Sequence, residues 1–331
     1  MASTAYALPS KTVDVDLVLI EERARIEAAL APLSERMRKR TLEGLGMKQV
    51  RVCGRRQPYD LAREAASLAL DKARITAGEV DLILDFVTLP GKSGQYLSFS
   101  QKLSLDLGAE TSLNLSYRVG GCAGLHLAMK NALALMQTDD NLRTALLVTA
   151  DSPPQGSRSL LPITVQGDAG SSVVLTKKDV PGPEVLGTEV LTLGHLHDVI
   201  TIARSHDGRD DMVIHVDSAR IESELMPIYY LNFLRLIGRL LDRFSLRLDD
   251  IDHIIYSNLS RTDRDGFVKA LGLPASKVVS AGLLELGHTF ASDLVINYTD
   301  YEHTRPLEPG QLVLFASAGI GFTWGVTLAR A

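Results

Sequence analysis

Two cysteines occur in 331 residues, and one of them sits where a thiol is most easily ionised. Cys122 follows two glycines in Gly120-Gly121-Cys122-Ala123 and precedes a run of good helix formers, so it falls at the mouth of a helix. A helix N-terminus carries partial positive charge, which favours the thiolate, and the thiolate is the nucleophile. The glycines let a substrate carbonyl approach the backbone. Cys122 is the candidate nucleophile; the other reading is a small thiol packing a helix start. A second helix mouth follows 166 positions later, at Gly287-His288-Thr289. There His288 is the candidate base, and the helix end predicts a neutral imidazole, suited to taking a proton. The alternative is a histidine that only caps the helix. Asp293, five residues on, would orient and stabilise His288 as the third group of a triad. That spacing does not share a face of an ideal helix, so it needs an irregular start to the helix. Otherwise Asp293 is a cap or surface carboxylate.

The elements that must position these residues repeat. Short runs rich in Val, Ile and Leu ("VDLILDFVTL", "TALLVTAD", "SSVVLT", "HIIYSNL", "LVLFASAGIG", "WGVTLA") alternate with helix-period segments at Asp60–Arg74, Cys122–Met136 and Met226–Phe244. This predicts an α/β protein with buried, layered sheets. Gly108 to Cys122 is 14 residues and Gly272 to His288 is 16; Cys122 to Asp151 is 29 and His288 to Ala318 is 30. An internal duplication at so long a period predicts two pseudo-symmetric halves, residues 1–178 with the cysteine and 179–331 with the histidine. If the halves pack about a local two-fold axis, the two helix mouths face each other.

Composition narrows the function. Apolar residues make up 45% of the chain, ample for a core, and the net charge of -5 argues against nucleic acid as a partner. Cys53 and Cys122 can form neither a disulfide framework nor a zinc site alone, so a reduced, cytoplasmic protein is expected, with Cys53 a packed thiol. No basic-then-apolar leader opens the sequence, and no apolar run approaches the roughly 20 residues that span a bilayer, so no membrane partner is expected. The pair His195 and His197 in "GHLHD" would share a face of a strand, but no further ligand supports a metal, and none is expected. Eight basic residues between Arg36 and Arg56 stand out in an acidic chain. Arg36, Arg38, Lys39 and Arg40 could dock a phosphate-bearing or acidic partner; a solvated helix face is the alternative.

With "GGCAGLHLAM", "GDAGSSVVL", "LGLPASKVV" and "SAGIGFTWGVTLAR" in this order, the whole chain resembles the thiolase-fold condensing enzymes, and most closely the beta-ketoacyl-ACP synthase III group. The resemblance implies a thiolase-like fold, two α/β halves in an αβαβα arrangement, usually as a homodimer. It implies an oxyanion hole from the backbone N–H groups of Cys122 and Ile320. It also brings two departures to light. The family's His-Gln-Ala-Asn motif falls on Ser257 to Ser260, so its histidine slot holds Ser257. The asparagine of its Gly-Asn-Thr turn is replaced by His288.

In decarboxylating relatives those two residues hold the malonyl thioester carbonyl while CO2 leaves. Their replacement implies an acyltransferase, similar to a minority of synthase III relatives in natural-product pathways. Such an enzyme loads an acyl group from acyl-CoA or an acyl carrier protein on Cys122. It then passes the group to a hydroxyl or amine of a small-molecule acceptor. Ser257, Asn258 and Phe290 are the pocket candidates. No cofactor is expected; coenzyme A or phosphopantetheine enters as the thioester substrate. Two alternatives stand beside this reading. One is a C–C-forming ketosynthase in which Ser257, Asn258 or water replaces the histidine. The other is a non-catalytic partner subunit of an active homologue.

Overall fold

The computed structural model describes residues 1–89, 99–204 and 212–331. Ten strands form two five-stranded sheets. The first holds β1 (Ser3–Ala7), β2 (Leu82–Asp85), β3 (Leu113–Ser116), β4 (Thr144–Asp151) and β5 (Ala169–Thr176) in the spatial order β1-β5-β4-β2-β3. The second holds β6 (Glu184–Thr192), β7 (His253–Tyr256), β8 (Val278–Val279), β9 (Leu312–Gly319) and β10 (Thr323–Arg330) in the order β6-β10-β9-β7-β8. Position for position the two orders are the same. So are the directions: the first three strands of each order pair antiparallel with one another, and the third, fourth and fifth pair in parallel.

Parallel strands need crossover helices, and these repeat as well. Among the helices are α1 (Glu35–Glu43), α2 (Pro58–Ala73), α3 (Phe99–Leu107), α4 (Gly124–Thr138), α5 (Met226–Arg243), α6 (Arg261–Leu271) and α7 (Ser292–Thr304). From α2 onward, the first three match the last three in order. Helices α2 and α5 cover the outer faces of the first and second sheet, whereas α4 and α7 each touch strands of both sheets and form the central layer. Position in the layers explains sequence. In α4, Leu125, Ala128, Met129, Ala132 and Met136 recur at helical spacing on the buried side. In α7 every residue from Ser292 to Tyr298 is buried, because sheets flank it on two sides. Strands β2, β4 and β9, covered on both faces, are buried from end to end.

The halves are also tied directly. Ser171 Oγ on β5 donates to Ser292 Oγ on α7 (3.0 Å). The segment after β4 reaches across too: His288 N donates to Val165 O (3.0 Å) and Gly167 N donates to His288 O (3.0 Å). His288 is therefore pinned on both sides by backbone of the other half. Residues between β1 and α2 add a cap, in which Ser34 begins α1 by accepting from Met37 N (3.3 Å). Among the described residues no helix is long and apolar enough to cross a membrane.

Candidate active site

Cys122 lies in a single 3-10 turn, Gly121–Ala123, that runs into α4. Gly121 adopts φ +49, and a Cβ built on it would lie 2.6 Å from the backbone N of Ile320. Gly319 is equally confined; a Cβ there would collide with the Gly120 carbonyl and the Cys122 amide. The missing side chains let the loop after β9 close over the start of α4, and Ser317 Oγ donates to Cys122 O (3.1 Å). The backbone at Ile320 is thereby packed against the backbone at Cys122. Neither backbone N–H has an acceptor among the described residues.

The second helix mouth meets the first. His288 Nε2 is 3.0 Å from Cys122 Sγ, and both residues are buried. On the far side of the ring, His288 Nδ1 lies 2.6 Å from Asp293 Oδ2. His288 does not directly follow a strand as the duplication implied: β8 ends at Val279, and a short helical turn, Leu283–Leu286, comes between. Nor is the stretch from His288 to Asp293 regular helix. Phe290 has φ +58, which turns the chain so that Asp293, in the first turn of α7, points back at the imidazole. Asp293 has four good donors: His288 Nδ1 and Asn258 N (2.7 Å) on Oδ2, and Thr289 N (2.6 Å) and Thr289 Oγ1 (2.7 Å) on Oδ1.

The charge state of His288 corrects one expectation. Burial works against its cation. The negative charges of Cys122 and Asp293, with the hydrogen bonds to both, override burial and hold its pKa well above the ordinary imidazole value. The site therefore holds the imidazole toward its protonated form, not as the neutral base expected, because its two partners outweigh burial and one helix end.

Above the pair opens a cavity of about 270 Å³. Its walls are mainly apolar, with Leu33 and Met37 from the cap, Leu160 and Ile163 from the segment after β4, and Leu225 and Phe322 from the second half. A set of edge-packed rings backs one wall: Tyr229 to Phe233 at 5.6 Å, Phe233 to Tyr256 at 5.8 Å, and Tyr256 stacked on Phe267 at 4.0 Å. Each such pair adds about 0.5–1.5 kcal/mol beyond area burial, so this wall is stiff.

The pocket candidates need correction. Ser257, Asn258 and Phe290 do not line this cavity. Asn258 faces inward, where its side chain and Asn297 bond each other (2.9 Å) and its backbone N–H holds Asp293. Ser257 is buried with its Oγ unpaired among the described residues, so it offers the cavity nothing in place of a histidine. Phe290 packs beside the His288 ring (5.6 Å between centroids) and supports it from behind. Of the basic cluster, Arg40 lines the cavity mouth, as do Met37 and Thr41 of α1. Arg36 is exposed, Arg38 is spent on the carbonyls of Leu33 (2.9 Å) and Ala31 (2.7 Å), and Lys39 lies 3.7 Å from Glu43.

His195 and His197 are not on a strand. His195 lies in the 3-10 turn Gly194–Leu196 and His197 just follows it, both exposed, so the shared-face argument fails. Among the described residues no group of three or more His, Cys, Asp or Glu could hold a metal. Cys53 is partly buried beside Asp168. Burial, then the Asp168 charge and hydrogen bond, push its thiol up to about 12, so it stays protonated. The sequence reading did not single out Asp263, Tyr229 or Tyr230, which line the cavity.

Comparison with known proteins agrees with this geometry. The family 3-oxoacyl-[acyl-carrier-protein (ACP)] synthase III, C terminal, matches residues 241–331. The beta-ketoacyl-[acyl-carrier-protein] synthase III of Rhodospirillum rubrum is 28% identical over 281 residues, 82% of this chain and 83% of the relative. That of Erythrobacter litoralis is 26% identical over 87% of this chain and 89% of its own length. Among solved structures, the synthase III of Aquifex aeolicus superposes with a TM-score of 0.76 at 18% identity, covering 100% of this chain and 99% of the other. ChlB3, an acyltransferase, gives 0.80 at 22% identity, covering 99% and 96%. The repeated sheet order, the central helix pair and these likenesses agree: the chain shares the fold of the synthase III structures along its whole length, is similar in sequence to the synthase III relatives, and matches their C-terminal family over residues 241–331.

Proposed function

We propose that this protein is an acyltransferase that takes an acyl group from a coenzyme A or acyl-carrier-protein thioester onto Cys122. It then hands the group to a hydroxyl or amine of a small acceptor, in natural-product biosynthesis. The observation that carries the reading is the Cys122–His288–Asp293 line, 3.0 Å and 2.6 Å at its two contacts. A histidine backed by a carboxylate cycles a proton. In the first step the Cys122 thiolate attacks the thioester carbonyl, and the N–H groups of Cys122 and Ile320 hold the oxyanion. The carbon–sulfur bond to the donor breaks, and the His288 imidazolium protonates the departing thiolate. Neutral His288 then takes the proton of the acceptor as its oxygen or nitrogen attacks acyl-Cys122. Collapse of the second intermediate releases ester or amide and restores the thiolate–imidazolium pair. The cycle balances without metal or redox cofactor.

A decarboxylating enzyme needs two donors on the malonyl carbonyl, and Ser257 does not line the cavity. The resemblance of the fold to ChlB3 supports the same choice. The relatives named as synthases favour C–C bond formation as the second reading. A cytoplasmic homodimer, with Arg40 and its neighbours guiding the donor's phosphates or carrier, completes the proposal. Intact-mass analysis with a panel of acyl-CoAs and acyl carriers tests it. Wild type gains one acyl group, Cys122→Ala gains none, and His288→Ala loads but fails to transfer. Acylation that survives in Cys122→Ala would remove the nucleophile. A wild type that loads with no thioester would point to a non-catalytic partner.

A further inference from the structure

The cavity is mainly apolar, and some of its polar lining groups have unmet hydrogen bonds, among them Asp263 and Tyr229. Asp263 sits in the first turn of α6, where its N–H donates to Ser260 Oγ (3.1 Å). Tyr230 Oη donates to Asp263 Oδ1 (3.3 Å). Asp263 Oδ2 is buried and has no partner among the described residues; neither has Tyr229 Oη nor Tyr256 Oη, both buried. Asp263, Tyr229 and Tyr230 line the same cavity as Cys122 and His288.

The groups are close enough to feel one another. Burial, then Asp263, Tyr230 and Cys122 among its neighbours, raise the pKa of Tyr229, and His288 opposes the effect of burial on Asp263. Burial lifts the Asp263 carboxyl to about 7. Buried polar atoms are normally satisfied, and leaving them so is costly. An all-hydrocarbon occupant would leave Asp263 Oδ2 and Tyr229 Oη unpaired. A hydroxyl donates once and accepts twice, so it can give to Oδ2 while taking from a tyrosine. A protonated amine gives to Oδ2 with charge assistance.

We propose that Asp263, with the hydroxyl of Tyr229, forms a polar subsite that holds a hydroxyl or protonated amine of the ligand beside Cys122. Assigning that ligand to the acceptor rests on the acyl-transfer reading. The acceptor then carries a second polar group besides the attacking one, as a diol or amino alcohol does. The acyl chain takes the apolar side.

Protection of Cys122 from iodoacetamide tests the subsite without any transfer step. The probes are hexan-1-ol, hexane-1,6-diol and 6-aminohexan-1-ol, matched in length. In wild type the diol and amino alcohol protect at about tenfold lower concentration than hexan-1-ol, or better. In Asp263→Leu both advantages vanish. In Asp263→Asn, which keeps the shape, the amino alcohol loses its advantage, and this result decides the matter if the leucine variant does not fold. Equal protection by all three probes in wild type, or an amino-alcohol advantage unchanged in Asp263→Asn, would overturn the subsite. A wild type that shows the preference yet never transfers an acyl group would overturn the acyl-transfer reading and leave the subsite standing.

Discussion

Asp293→Asn is the sharpest perturbation, because the four donors around Asp293 leave an amide no good orientation. If the amide nitrogen takes the Oδ2 position, it faces the Asn258 N–H and forces His288 Nδ1 to become an acceptor. The histidine proton then moves to Nε2 as the neutral tautomer. If the nitrogen takes the Oδ1 position, it faces the Thr289 N–H. Either way one buried backbone N–H is orphaned, at about 1–3 kcal/mol of stability. The cation loses more. Hydrogen bonds to charged groups contribute about 1.5–3 kcal/mol, and each 1.36 kcal/mol is one pK unit, so the imidazolium is weakened by about one to two units.

The sign follows from His288 being raised above its ordinary value. Stability from its charged form is complete below the unfolded imidazole value and is lost as pH rises through the folded one. Asn lowers that folded value, so the loss comes at lower pH. The assay is the pH profile of Cys122 alkylation. Near pH 7 the variant reacts about 10- to 100-fold more slowly than wild type. At alkaline pH, where thiolate forms without help from the imidazole, the two converge. Superimposable profiles at neutral pH would refute the argument that Asp293 holds the imidazolium and, through it, the thiolate.

Limited alkylation at pH 8, followed by peptide mass spectrometry, should label Cys122 and spare Cys53, whose thiol burial pushes up to about 12; label first at Cys53 would contradict this. Gly319→Ala should force the Ile320 loop away from Cys122, because the new methyl meets the Gly120 carbonyl and the Cys122 amide. Loss of one oxyanion donor lowers kcat/KM by about 10²- to 10³-fold. Gly78→Ala, where a Cβ meets nothing within 4 Å, should leave it unchanged, and equal effects of the two would refute the steric reasoning.

Much of the architecture was readable because it is local and repeated. Runs such as "TALLVTAD" place Ala145, Leu146, Leu147 and Val148 in succession, apolar on both faces, as a strand covered on both faces requires, and β4 is that strand. The matched spacings around Cys122 and His288 anticipated two sheets of the same order. What stayed hidden depends on where side chains point. Asp293 looked out of phase because helix spacing was applied to a segment where Phe290 adopts φ +58. The slots at Ser257 and Asn258 suggested a pocket, but slot position does not fix direction, and Asn258 turns toward Asp293. The state of His288 depends on two anions, one of them from the other half of the chain. Asp263, three residues after Ser260, reads in sequence as an acid at a capped helix start. Its burial against Tyr230 and Tyr256 is set by contacts across distant segments.

The central claim is that acyl groups leave Cys122 for oxygen or nitrogen, not carbon. Its most direct test is to load Cys122, remove excess donor, and offer a malonyl thioester in one reaction and hydroxyl or amine acceptors in another. Released CO2 and the products are followed by mass spectrometry. The account predicts an ester or amide with deacylation of Cys122, and no CO2 from the malonyl thioester. Stoichiometric CO2 with a 3-oxoacyl product would contradict it.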